Sequence, residues 1–98
     1  MERPKMTPFD YAGVECGNGW ERLYAPIIQR ANTEGVHIMQ VKEKFGGLRI
    51  YVLAASPEFQ RAIEAAEKES YRICEVCGSP GMHINDRGWL RTRCKNHV

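Results

Sequence analysis

No apolar run in this chain approaches the roughly 18 consecutive residues that a bilayer-spanning helix requires, so a helical membrane span within its 98 residues is excluded. Charge of one sign is nearly balanced too: fourteen basic against twelve acidic side chains leave a formal net charge of +2. An excess that small does not point to a polyanionic partner by composition alone. Met1 to Pro8 lack the continuous apolar core of an export signal and contain Pro4 and Pro8 instead, so residues 1–8 read as a flexible leader. Internal repeats and low-complexity segments are also missing. What remains, 43% hydrophobic and 27% charged, is ordinary for a folded globular chain of one domain, expected over residues 9–98.

Cysteine is sparse but patterned. Cys74, Cys77, Cys94 and His97 have the form C-x2-C-x16-C-x2-H, two short ligand pairs separated by enough chain to fold back on itself. Two residues between ligands let one tight turn aim both side chains at the same ion, and zinc takes four sulfur or nitrogen ligands in a tetrahedron. Gly78, next to Cys77, relieves the backbone where it must turn round the sulfurs. Without an export signal, two disulfides are the weaker reading and a reducing, cytoplasmic setting the expected one. Four protein ligands fill the coordination shell, so the expected Zn2+ site is structural and offers no position for an activated water. Three thiolates and a dication would bring the formal charge to about +1. Only Val98 follows His97, a pattern that fits a ribbon of two knuckles and a hairpin over residues 74–98 better than a treble clef.

Upstream, Trp20, Leu23, Tyr24, Ile27, Ile28 and Ala31 recur at steps of three and four, which predicts an amphipathic helix. Asn18 is its candidate N-cap, Gly35 its stop, and Pro26 a kink or fresh start. Val36 to Lys44 and Leu48 to Ala54 flank Gly46-Gly47 and predict a β-hairpin. On the first strand, the face of His37, Met39, Val41, Glu43 and Phe45 is the more apolar, and is expected to pack inward. Ser56-Pro57-Glu58 is a helix start with a capping hydroxyl, proline at the first position and an acid facing the dipole. The second helix places Phe59, Ala62, Ile63, Ala66 and Ile73 on its apolar side. Asn85-Asp86-Arg87-Gly88 predicts the turn of a second hairpin between the ligand pairs.

Arg87, Trp89, Arg91, Arg93 and Lys95 alternate along the last strand and define the candidate nucleic-acid surface, with a protective charged edge as the plainer reading. Cys16 precedes the first helix, where a thiol can be activated. A catalytic cysteine also needs a base, and neither His37 nor His83 is placed beside it by sequence, so a packing role is expected and no catalytic residue is assigned.

The run Glu15-Cys16-Gly17-Asn18-Gly19-Trp20, the hairpin Val41-Lys42-Glu43-Lys44-Phe45-Gly46-Gly47-Leu48-Arg49-Ile50-Tyr51-Val52 and the Cys74/Cys77 and Cys94/His97 pairs together resemble a family of small uncharacterised proteins of bacteriophages, prophages and bacteria. The resemblance extends from about Glu15 onward. It implies a phage or bacterial origin, hence a bacterial cytoplasm, and a C-terminal zinc knuckle, but carries no activity to transfer. The expected fold is α+β, two amphipathic helices on an antiparallel hairpin sheet with a zinc ribbon after the second helix. The expected function is a non-catalytic interaction protein that binds a host protein, with components of host defence among the candidates by analogy of class. A nucleic-acid-binding module is the alternative.

Overall fold

A computed structural model describes residues 9–98; the leader expected over residues 1–8 lies outside the described residues. Two α-helices, α1 (Glu21–Glu34) and α2 (Pro57–Ser70), pack on a small sheet, and a separate two-stranded hairpin carries the C-terminal ligand pairs. The sheet has the order β1 (Val14–Glu15), β2 (Ile38–Lys44), β3 (Gly47–Val52), with β1 parallel and β3 antiparallel to β2. Strands β4 (Met82–Asp86) and β5 (Trp89–Arg93) form the second hairpin. The α+β architecture expected from the sequence is the one observed.

Helix α1 is preceded by a 3-10 turn at Asn18–Trp20, so Asn18 opens that turn and Trp20, which offers no capping side chain, stands at the N-cap. Pro26 is accommodated inside one continuous helix, on its exposed side. Gly35 ends it with φ 78°, a left-handed conformation in which glycine carries no Cβ penalty, while Val36 N–H closes back onto Ala31 O at 2.9 Å. Helix α2 starts as the sequence indicates: Ser56 Oγ accepts from Phe59 N–H at 3.1 Å, with Pro57 at the first helical position. It stops at Ser70, short of Ile73, which instead bridges to Pro80 at the entry to the metal site.

Tyr24, Ile27, Ile28 and Ala31 of α1 meet Phe59, Ile63 and Ala66 of α2 over Ile38, Val41, Leu48 and Ile50 of the sheet, and all are buried. Both helices thus cover one face, the solution for a sheet whose two faces differ in polarity. The inward set on β2 corrects the sequence expectation. Ile38 and Val41 point to the core, while Met39 and Phe45 are exposed at 59% and 62%. The register shifts between Ile38 and Gln40, so one extra residue in β2 reverses the alternation at that end, as a β-bulge does. Phe45 lies in the turn with φ 55°, outside the pleat.

β3 would be an open edge, but α2 lies along it. Leu48 N–H donates to Ser70 Oγ at 2.9 Å and Ile50 N–H to the Glu67 carboxylate at 3.0 Å. Two side chains of a helix thereby occupy donors that a further strand would otherwise take.

Candidate metal centre

Cys74 and Cys77 flank a tight turn. Gly78 N–H donates to Cys74 O at 2.9 Å with φ 82° at the glycine, and Cys74 N–H donates to Ser79 O at 2.7 Å. The second pair sits on a matching turn in which His97 N–H donates to Cys94 O at 3.0 Å. Hairpin β4–β5 spans the gap and brings the two turns face to face. All four ligand atoms lie within 4.8 Å of one another. Cys77 Sγ and Cys94 Sγ are 3.7 Å apart, and His97 Nδ1 is 3.8 Å from Cys74 Sγ and 3.1 Å from Cys94 Sγ.

Metal–sulfur bonds of about 2.3 Å in a tetrahedron place sulfurs roughly 3.8 Å apart. The observed spacing therefore fits Zn2+, with His97 offering Nδ1, and the cluster is a Cys3His zinc site.

Electrostatics favour the ionised sulfur. Burial pushes the Cys74 thiol up, but backbone N–H groups of Cys94, Cys77 and Val76 aimed at it prevail and bring it down to about 6. Cys94 goes the other way: burial raises it against the pull of the Asn96 N–H, and the adjoining Cys77 and Cys74 sulfurs raise it further. Anionic sulfurs this close repel one another, and a dication removes that repulsion by stabilising them together. With four protein ligands the shell is closed, so the site braces the fold.

The metal lobe is built into the rest of the chain at two docks, and sequence reasoning missed both. At the first, Glu75 O accepts from Gly19 N–H at 2.7 Å, the Glu75 carboxylate accepts from Gly17 N–H at 2.9 Å, and Ile73 O accepts from the Trp20 indole at 2.8 Å. A Cβ on Gly19 would overlap the carbonyl oxygens of Cys74 and Glu75. At the second, Thr92 Oγ1 donates to Gly46 O at 2.6 Å, and Gly46 packs so tightly on Arg91 that a Cβ would lie 2.8 Å from its backbone nitrogen. Tyr71 lies against Gly47, receives a hydrogen bond from Arg49 at 2.8 Å and meets the His83 ring edge-on at 4.8 Å. The glycine spacing of Gly17-Asn18-Gly19 and Phe45-Gly46-Gly47 was the available signal, since paired glycines mark close backbone approach.

His83 is outside the ligand set and hydrogen-bonds Thr92 through Nδ1 at 3.3 Å. Cys16 packs half-buried against the core, and burial, followed by the charges of Glu75 and Glu43, pushes its thiol up to about 12. That environment suppresses the thiolate instead of activating it.

The basic row on β5 is not a free strip. Arg87, Trp89 and Lys95 are exposed, but Arg91 is 7% exposed, with its guanidinium 4.2 Å from the Trp89 ring and 3.8 Å from Asp86. Arg93 is half-buried and turned to Glu75 at 3.8 Å. Arg91 Nε and Nη1 and Arg93 Nε are buried without hydrogen-bond partners among the described residues. Hairpin packing has drawn the middle of the row inward, and Lys95 lies beyond the last paired residue of β5.

Comparison of the chain with protein-family models, curated proteins and solved structures finds no match.

Proposed function

We propose that this protein is a non-catalytic, zinc-stapled interaction module of phage origin that binds a host protein, with a component of host defence as the candidate class. The reading rests on one observation: large apolar side chains are exposed on the lobe that the closed metal site rigidifies. Met82 is 74% exposed, Trp89 59% and Val98 70%. Met82 and Val98 border a shallow groove of about 520 Å³ that Pro80 and Ile84 also line. Isolated exposed apolar side chains are common, but Met82 and Val98 about one groove, with Trp89 at the other end of the same hairpin, give the metal-held lobe an apolar surface of the kind an interface core uses. Phage origin is supported by the resemblance of the Glu15–Trp20 run, the central hairpin and the ligand pairs to small phage and bacterial proteins. The absence of an open metal position and the suppressed Cys16 thiol support a non-catalytic role.

The test is affinity capture from a bacterial lysate with zinc-loaded protein, run beside the Met82→Glu/Trp89→Ala double variant at equal zinc content. A partner held by the wild type and lost by the variant is the expected outcome. Equal recovery by both proteins would remove this face as the binding surface.

A further inference from the structure

We infer that the sheet face turned away from the helices binds single-stranded nucleic acid, through side chains other than the zinc ligands and the β5 row. Residues directly opposite on antiparallel strands share a face. Val41 pairs with Ile50 on the core side, so Lys42 with Arg49 and Gln40 with Tyr51 lie on the other side. Glu15, aligned with Lys42 across β1, joins them. Helices α1 and α2 both pack on the core side, so among the described residues no helix covers this surface, although Tyr71, just after α2, lies over its turn end at Gly47.

The composition of the face is specific. Lys42 and Lys44 stand beside one carboxylate, Glu15, and each ammonium lies against an exposed aromatic ring, while the half-buried Arg49 is turned to the Leu48 carbonyl and the Tyr71 hydroxyl at the α2 edge. Lys42 Nζ sits 5.6 Å from the centroid of the Tyr51 ring, and Lys44 Nζ 5.5 Å from that of Phe45 at the turn. Tyr51 is 39% exposed and Phe45 62%.

Rings on a sheet surface offer stacking platforms to unpaired bases, and ammonium groups between them meet the backbone phosphates. A base that takes the Tyr51 ring frees Lys42 for phosphate. A duplex hides its base faces and could use the cations alone. An acidic peptide would likewise satisfy the lysines but leave the rings without partners, so the observations favour the nucleic acid. With a net charge of only +2, the chain has little general attraction for polyanions, and binding would depend on this local surface.

The experiment is fluorescence anisotropy of a labelled oligothymidylate with the zinc-loaded full chain, across a range of salt concentrations. Saturable binding that weakens with salt is expected. Tyr51→Ala should weaken it about tenfold, and Lys42→Ala and Lys44→Ala should each lower the slope of log affinity against log salt by about 0.7. Zinc content and melting temperature check that each variant is folded. Four results would overturn the inference: no binding at low salt; equal binding of a duplex of the same length; equal affinity for an oligoglutamate peptide; or losses produced by Arg87→Ala and Lys95→Ala but not by the sheet variants. None of these bears on whether Met82 and Trp89 bind a protein.

Discussion

At the scale of single residues, Gly19 and Gly88 separate two reasons for a glycine. Gly88 has φ 88° with nothing within 4 Å of where a Cβ would stand, so alanine there meets conformational strain alone, about 1 to 2 kcal/mol. Gly19 faces backbone carbonyls that cannot swing aside. Gly19→Ala should therefore cost at least about 3 kcal/mol and loosen zinc. Chemical denaturation and competition with a colorimetric chelator measure the two effects. Cys16 makes the complementary case, a residue whose position suggests chemistry and whose environment withholds it. Because its folded pKa lies above the ordinary 9.0, Cys16 contributes stability below pH 9 that is lost as pH rises from 9 towards 12. Cys16→Ala should flatten that alkaline loss in a melting series. At about pH 8 the native thiol should alkylate far more slowly than the same thiol in the denatured chain, because the thiolate is the reactive form.

At the scale of elements, the β3 edge depends on two α2 side chains. Ser70→Ala leaves the buried Leu48 N–H without its acceptor, a cost of about 1 to 3 kcal/mol in denaturant unfolding, with faster hydrogen exchange at that amide. Local signals of this kind explain what was readable beforehand. Ser56-Pro57-Glu58, Gly35 and Asn85–Gly88 are short-range chemistry, and each element boundary they mark is where the sequence put it to within a residue or two. The ligand pairs were readable for the same reason, since two residues of spacing define a knuckle wherever it sits. The bulge at Met39 was not readable, because β2 alone carries both alternations and only its pairing with β3 chooses one. Strand β1 escaped notice because two residues carry no period. The buried Arg91 was hidden for a related reason: alternation assigns it a face of β5, but does not show that its guanidinium folds onto the Trp89 ring and towards Asp86 on that face.

At the scale of the whole molecule, the zinc ribbon of residues 74–98 is held against the core at two docks. Glu75 ties the first ligand turn to Gly17 and Gly19, and Thr92 ties the β4–β5 hairpin to Gly46. Zinc removal should therefore disturb more than residues 74–98, since metal ligation supplies folding free energy that the docks transmit. On chelation, hydrogen exchange at Gly19 and Leu48 should rise together with that of the metal lobe. Emission from Trp20, now fully buried and bonded to Ile73 O, should shift to the red. Loss of protection confined to residues 74–98 would show that the docks survive without the metal.

The Gly17-Asn18-Gly19 dock has a consequence for how such a chain can diverge. Its glycines are required only while a folded ligand turn presses its carbonyls against them. A descendant that lost Cys74 or Cys94 would be released at Gly17 and Gly19, more than fifty positions upstream, and those sites would be free to drift. In a set of related sequences, the loss of ligands and the loss of these two glycines should accordingly occur in the same lineages, so the metal leaves its imprint on residues that never touch it.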